Sequence, residues 1–202
     1  MYEIYRQIPL YRFLMYCNQN PLPNQVLDCG AGGNMPPLGL FWEHGYDTVG
    51  IEYSENQILL AQQFEKMYEM ELHIKKGDMR ELPFTDESFS YVYSYNAVFH
   101  MKKDEVEESI KEMKRVLKPQ GLLFVNFLST SDFRCGTGED FLNHQYLQLE
   151  DDEKIMHSYY EKEEAEQYFH EMKLLYKEDR TLERIYEGNM IRQGFIDYIL
   201  RK

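Results

Sequence analysis

A short apolar run followed at once by an acid and a glycine-rich loop, VLDCGAGGN at residues 26–34, constrains the fold more than any other stretch. The run predicts a buried strand over residues 25–29. Glycines placed directly after a strand let the backbone turn sharply and approach a ligand closely, because no Cβ intervenes. The loop alone is also compatible with a tight strand-to-helix turn that binds nothing.

Strand-like and helix-like segments alternate after this loop. Residues 36–44 have helical spacing that ends at Gly45, Ser54 caps a second helix, and residues 104–117 form an amphipathic third helix. The remaining apolar runs predict strands at 47–52, 71–75, 90–95 and 122–127. This alternation predicts an open, doubly wound α/β sheet of parallel strands joined by right-handed crossovers. Ligands of such sheets bind outside the carboxyl ends of the strands.

The last third of the chain has a different pattern. Residues 128–157 look irregular, and a helix is predicted over residues 161–170. Two strand-like stretches follow, at 173–186 and 191–200, and the tripeptide EGN between them is a hairpin signal. A parallel sheet that finishes in a hairpin must contain one antiparallel strand.

Two acids follow later strands in the order that a nucleoside site requires. Glu52 ends the second strand about 20 residues past the glycine loop, where an acid can accept hydrogen bonds from both ribose hydroxyls. Asp78, in KKGDMRELPF, follows the third strand and can accept from an adenine amino group. Each acid also has a plain interpretation, a solvated strand end for Glu52 and an Asx-turn for Asp78. The dinucleotide pattern G-x-G-x-x-G is incomplete because Met35 replaces its third glycine.

Four segments together, VLDCGAGGN, VGIEYSENQ, GDMRELPFTDESFSYVYSYNAVFHM and MKRVLKPQGLLFVNF, resemble a class I S-adenosylmethionine-dependent methyltransferase over residues 26–127. The resemblance implies a seven-stranded Rossmann-like sheet of order 3-2-1-4-5-7-6 with strand 7 antiparallel. It also implies one domain, residues 1–202. Within it we expect an N-terminal helical lid (1–23), a cofactor-binding core (24–128) and an acceptor-side insert with the terminal hairpin (129–202).

The resemblance assigns S-adenosyl-L-methionine as the cofactor and a set of residues to hold it. The glycine loop passes under its methionine and ribose parts, Glu52 binds the ribose hydroxyls, and Tyr53 packs on the adenine. Asp78 and Met79 meet the adenine edge, and a segment after the fourth strand lies near the methionine part. The expected cofactor-binding residues are Asp28, Gly30, Ala31, Gly32, Glu52, Tyr53, Asp78, Met79, Ser94, Tyr95 and Asn96.

The chemistry that follows is an in-line transfer of a methyl group, for which positioning supplies much of the rate. The catalytic residue is unknown; His100, after the fourth strand, is a weak candidate for a base. The six histidines show no HxxxH or HxH spacing, and the three widely spaced cysteines form no CxxC pair that could add metal ligands. No metal is therefore expected.

Charge and composition limit the partners. A formal net charge of −13 disfavours nucleic acid, which requires a basic face. Neither a membrane span nor a signal peptide is visible, and the three cysteines form no disulfide framework, which favours a cytoplasmic location. We expect a small-molecule methyl acceptor. A non-catalytic cofactor-binding or interaction subunit and an NAD-binding oxidoreductase are the alternatives.

Overall fold

The computed structural model describes residues 8–150, 153–186 and 188–202. Its helices are α1 (Ile8–Asn18), α2 (Leu38–Glu43), α3 (Glu55–Tyr68), α4 (Lys103–Val116) and a 3₁₀ helix (Glu164–Phe169). Its strands are β1 (Gln25–Cys29), β2 (Asp47–Glu52), β3 (Ile74–Lys76), β4 (Phe89–Ser94), β5 (Leu117–Ser129), β6 (Glu139–Asp140), β7 (Gln145–Glu150), β8 (Glu153–Tyr160), β9 (Lys173–Tyr186) and β10 (Asn189–Arg201). No helix within these residues has the length and apolar character needed to cross a membrane.

The main sheet has the strand order that the resemblance implies. Strands β3, β2, β1, β4 and β5 are neighbours in that order and run parallel. Strand β10 pairs antiparallel with β5, and β9 pairs antiparallel with β10. With β9 and β10 as the sixth and seventh core strands, the order is 3-2-1-4-5-7-6 with strand 7 antiparallel. The predicted doubly wound α/β fold is confirmed.

Alternating residues of the strands enter two cores on opposite faces of the sheet, as the two-residue period of a strand dictates. Val26 of β1 joins the core beneath α1 and α2, while its neighbour Leu27 joins the core beneath α4. Phe13 of α1 packs its ring 6.0 Å from that of Tyr93 and 5.6 Å from that of Phe124. The described part of the predicted N-terminal lid therefore packs on the sheet. Residues 1–7 lie outside the described residues, and closure over a cofactor stays a prediction.

The region predicted as irregular, residues 128–157, instead contains a three-stranded antiparallel meander of β6, β7 and β8. The prediction was wrong because these strands are short and largely half-exposed, so their sequence lacks a clear alternation. The meander attaches to the main sheet where β8 pairs parallel with the end of β5, Leu128 opposite Tyr159. Residues 151–152 lie outside the described residues.

Two further predictions concern the end of the chain. The helix predicted over residues 161–170 is a single 3₁₀ segment of six residues. The terminal hairpin is present, with β9 at the predicted bounds and β10 slightly longer than predicted. Glu187 of the predicted EGN turn lies outside the described residues. The hairpin places β10, with Ile196, Tyr198 and Ile199 fully or almost fully buried, in the interior of the sheet.

Candidate functional site

The glycine loop follows β1 and is held against β2 by backbone hydrogen bonds. The N–H groups of Gly30 and Ala31 donate to the Ile51 carbonyl at 2.9 and 3.1 Å. Gly30 has φ of +97°, in the region that favours glycine, and a Cβ at this position would lie 2.2 Å from the Cβ of Ala97. The glycine is therefore required for two reasons, its backbone angle and the contact that the loop makes with the segment after β4.

Glu52 contacts the same loop from the carboxyl end of β2. Its Oε2 accepts from the Gly32 N–H at 3.0 Å, and its Oε1 accepts from the Ser54 N–H at 2.8 Å. A Cβ on Gly32 would stand 2.8 Å from Oε2 of Glu52, so only glycine permits this approach. The carboxylate is oriented by two backbone donors, while the neighbouring Tyr53 is 70% exposed.

Asp78 and Met79 lie beyond β3 and reach the same end of the sheet. The Asp78 carboxylate accepts two hydrogen bonds from the Arg80 side chain through Oδ2, the shorter at 2.6 Å, and Arg80 also contacts Glu105 of α4. The hydrogen bond from Arg80 holds the pKa of Asp78 below its usual value. The Met79 Cε lies 3.5 Å from the position that a Cβ on Gly30 would occupy. Met79 thus approaches the glycine loop from the segment after the third strand.

The segment after β4 is fixed by a residue that the sequence analysis missed. Asn126 of β5 is fully buried, and its Oδ1 accepts from the Asn96 N–H at 2.7 Å while its Nδ2 donates to the Asn96 Oδ1 at 2.7 Å. Asn96 is exposed and has φ of +54°, an uncommon backbone angle for a residue other than glycine. The sequence does contain a signal for Asn126, because it is a polar residue inside the apolar run LLFVNF.

Buried polar groups mark the ends of β1 and β4. Asp28 is 1% exposed, it lies opposite Tyr93 in the parallel pairing, and neither of its carboxylate oxygens has a hydrogen-bond partner among the described residues. Burial raises the pKa of Asp28 well above its usual range; the neighbouring Tyr93 hydroxyl opposes this shift and the Glu52 charge adds to it. The Ser94 hydroxyl is buried and likewise unpartnered within the described chain. Unsatisfied buried groups of this kind are uncommon, and an ordered water or a polar ligand would satisfy them.

Contacts therefore link the predicted residues of the glycine loop with Glu52, with Met79 and with the segment after β4. Tyr95 is half-buried beside this group, with its ring centroid 6.1 Å from that of Phe124. All four segments emerge from the carboxyl ends of parallel strands, where α/β sheets bind ligands. The cofactor roles assigned to these eleven residues stay predictions.

His100 belongs to a second group of polar side chains on the meander side of the site. Its ring centroid is 4.6 Å from that of His157, whose Nε2 is 3.4 Å from Oε1 of Glu150. Arg134 forms an ion pair with the same Glu150 oxygen. The surrounding atoms desolvate the His100 ring although its surface is partly open, and with His157 nearby they lower the pKa of His100 to about 4. Burial also lowers the pKa of His157.

Comparison with known proteins identifies the family. Residues 27–125 match the family described as methyltransferase domain. A sterol 24-C-methyltransferase from Pneumocystis carinii (strain B80) is 35% identical over 101 residues, which is 48% of this chain and 26% of that protein. Methyltransferase GfsG from Streptomyces halstedii is 30% identical over 105 residues, which is 50% of this chain and 37% of that protein. The chain thus aligns with well under half of the length of these relatives.

Solved structures share the fold over nearly the whole chain. The PH0226 protein from Pyrococcus horikoshii OT3 is 20% identical with a TM-score of 0.72, covering 98% of this chain and 93% of that one. A SAM-dependent methyltransferase from Methanosarcina mazei is 22% identical with a TM-score of 0.72, covering 93% of this chain and 96% of that one. These similarities show the fold. The methyltransferase-domain match over residues 27–125, together with the strand order of the sheet, shows that the chain belongs to the class I S-adenosylmethionine-dependent methyltransferases, a family of enzymes whose cofactor is S-adenosylmethionine.

Proposed function

We propose that this protein transfers a methyl group from S-adenosylmethionine to a small-molecule acceptor by in-line displacement. The observation that carries the proposal is the contact between Glu52 and the Gly32 N–H at 3.0 Å. That contact brings an acid for ribose hydroxyls and a glycine-rich loop to the same edge of a parallel sheet, the arrangement that binds a nucleoside.

The residues present fit this cofactor. Glu52 would hold the ribose, Asp78 and Met79 the adenine edge, and Tyr53, 70% exposed, has a ring face free to stack on the adenine. Asp28 holds a buried carboxyl group beside the glycine loop, which the resemblance places under the methionine and ribose parts. When bound, S-adenosylmethionine supplies a methyl group on a positively charged sulfur. The chain's own task is to bind, orient and exclude water, because a correctly oriented pair of reactants gains about 7–11 kcal/mol from proximity.

The meander is the proposed acceptor side. It packs on the segment after β4, where the Ser158 N–H donates to the Phe99 carbonyl at 2.9 Å and the Ser158 hydroxyl donates to the Met101 carbonyl at 2.7 Å. The matched domain, residues 27–125, stops before this region. The sterol acceptors named for the relatives therefore give no guide to the acceptor of this chain. The net charge of −13 supports an acceptor other than nucleic acid.

His100 is the proposed base for an acceptor that must lose a proton. It is exposed in the described structure and lies four residues beyond Asn96, on the meander side. Its neutral ring at pH 7 has a lone pair available to accept a proton. An acceptor that already presents a lone pair would need no such base, because positioning is then sufficient.

We also propose a reducing location such as the cytoplasm. Cys17, Cys29 and Cys135 are all unpaired, and two of them are buried. Unpaired cysteines are typical of proteins from reducing compartments. A redox-sensitive probe fused to the protein in its own cells would report an oxidising environment if this proposal were wrong.

The test is calorimetric titration of the purified chain with S-adenosylmethionine, S-adenosylhomocysteine and NAD, followed by release of S-adenosylhomocysteine in the presence of candidate acceptors. We expect micromolar binding of the first two ligands, no binding of NAD, and turnover with at least one small hydroxyl, amine or carbon acceptor. Binding of NAD alone would contradict the cofactor assignment. Tight binding without turnover across the acceptor panel would favour a non-catalytic subunit.

A further inference from the structure

Three side chains that are far apart in sequence meet beside the site, on its meander side. They are His100 from the segment after β4, Glu150 from the end of β7 and His157 from β8. One donor atom of each lies within 4.8 Å of the other two. Histidine spacing in the sequence gave no sign of this group, because the fold rather than a local motif assembles it.

The ring of His157 is fixed in an orientation that leaves one nitrogen free. His157 is 2% exposed, and its Nδ1 lies 3.3 Å from the Ile155 carbonyl. A carbonyl can only accept, so this hydrogen bond places the proton on Nδ1. The Nε2 of His157 then faces the Glu150 carboxylate, 3.4 Å away. A cation between the nitrogen and the carboxylate would bind to both.

We propose that His100, Glu150 and His157 bind one divalent transition-metal ion, with Zn²⁺ as the best match. Two imidazoles and one carboxylate are a donor set that zinc takes in catalytic sites, where a further position stays open for a substrate. The hydrogen bond from His157 to the Ile155 carbonyl is the outer contact that fixes a ligating histidine. Ligand atoms bound about 2.0–2.2 Å from a zinc ion are roughly 3.3 Å from one another. The three ligand atoms here lie within 4.8 Å of one another, so they would move together by about an ångström when the ion binds. His100, which is exposed, can make this movement.

The balance of charges around the group favours an additional cation. Arg134 pairs with Glu150, and it also donates its backbone N–H to Oδ1 of Asp132 at 2.9 Å. Asp132 is 6% exposed, and its charge interacts with both Arg134 and His157. Two acids, Glu150 and Asp132, therefore face one arginine around this group. Each oxygen of Glu150 has two lone pairs, so the oxygen that accepts from Arg134 can still bind the ion.

A role for the ion rests on the proposed function, and it takes the place of the base role of His100, because a ring nitrogen that binds the ion has no lone pair left to accept a proton. The group stands beside the segment that carries Asn96, on the side where we place the acceptor. An ion there would coordinate an oxygen or nitrogen of the acceptor through its open position and orient it. This would restrict the acceptors to small molecules that carry a metal-binding hydroxyl, carboxylate or amine group.

The test is direct metal binding by the full chain without cofactor or acceptor. Protein stripped with a chelator is titrated with Co²⁺, followed by its visible absorption, and then with Zn²⁺ by calorimetry. The variants are His100→Ala and Glu150→Gln, and His170→Ala is the matched control because His170 is an exposed histidine outside the group. Circular dichroism checks that each variant folds, and titration with S-adenosylmethionine on the same samples checks the cofactor site separately.

We expect one ion per chain, a Co²⁺ spectrum that Zn²⁺ abolishes, and affinity that falls at least about tenfold in both variants, the loss typical of changes even outside the ligand shell. His170→Ala should bind as the unchanged protein does. Absence of saturable binding would overturn the inference, as would equal binding by His100→Ala and Glu150→Gln. If S-adenosylmethionine still binds in that case, the proposed function stands without the metal.

Discussion

Replacing Asn126 by alanine should weaken both the fold and the cofactor site. The side chain is fully buried and makes two hydrogen bonds of 2.7 Å with Asn96. Each such bond contributes about 1 kcal/mol net, and the truncation leaves a small cavity, so we expect a loss of about 2–3 kcal/mol in the free energy of unfolding. For a chain of this size each kcal/mol lowers Tm by about 2–4 °C, which predicts a fall of about 4–12 °C.

The same change should release the segment after β4. Asn96 holds φ of +54°, and without Asn126 nothing among the described hydrogen bonds fixes its backbone N–H. We expect affinity for S-adenosylmethionine to fall by about tenfold, which is about 1.4 kcal/mol. Urea unfolding followed by circular dichroism measures the stability, and calorimetry measures the affinity.

Asn96→Gly is the matched comparison. Glycine accepts the positive φ and keeps the backbone N–H that donates to Asn126, so only one of the two hydrogen bonds is lost. We expect a cost of about 1 kcal/mol or less in the free energy of unfolding. The reasoning would be refuted by an Asn126→Ala protein with unchanged stability and affinity, or by an Asn96→Gly protein that loses as much stability as Asn126→Ala.

Three further changes test other parts of the site and sheet. Glu52→Gln removes the charge that would hold the ribose hydroxyls, and calorimetry should show affinity for S-adenosylmethionine lower by about 10–100-fold, the loss of one or two charge-assisted hydrogen bonds. Arg80→Met removes the partner that lowers the pKa of Asp78. A lowered pKa contributes stability above the unfolded pKa of about 3.9, and this contribution is lost as pH falls through the folded pKa. Urea unfolding should therefore show a deficit at pH 7 that disappears once Asp78 is protonated. Asp197→Ala removes an acid that is 1% exposed and leaves Arg180, its partly buried partner at 2.7 Å, without that ion pair, so it should cost about 1.5–3 kcal/mol in the free energy of unfolding.

Each of these expectations has an outcome that would contradict it. Unchanged affinity in Glu52→Gln would remove Glu52 from the cofactor site. A stability deficit in Arg80→Met that persists at pH 2 would mean that the arginine acts through packing rather than through the Asp78 charge. Glu178→Gln, on a half-exposed acid of the same hairpin, is the control for Asp197→Ala, and an equal loss in both would contradict the role of burial.

The sequence predicts the main sheet well because its signals are local. Apolar runs separated by helical spacing and turn residues indicate each strand in turn, and the hairpin strand β9 lies at the predicted bounds, residues 173–186. The meander was missed because its stability comes from elsewhere in the chain. Its attachment depends on β8 pairing with the end of β5, Leu128 opposite Tyr159, which no local pattern encodes.

The residues of the candidate site likewise fall into those that a local sequence pattern predicts and those that only the fold brings together. The glycine loop, Glu52 and Asp78 each follow a strand within a few residues, so strand prediction alone brings them to one edge. Asn126 interrupts an apolar strand and could have been singled out as a buried polar residue. The group of His100, Glu150 and His157 could not, because a loop and two strands of the meander bring it together. The expected absence of a metal rested on sequence spacing, and spacing does not report such a group.

The position of β10 has a consequence for folding during synthesis. This strand follows all the others in sequence, yet it lies between β5 and β9, paired with both. Until residues 189–201 leave the ribosome, the antiparallel edge of β5 has no partner from the main sheet. That edge belongs to an apolar strand with Phe124, Val125 and Phe127 buried in the finished protein. The nascent chain therefore exposes an unpaired, aggregation-prone sheet edge until β10 is synthesised, and this edge is a candidate for chaperone protection.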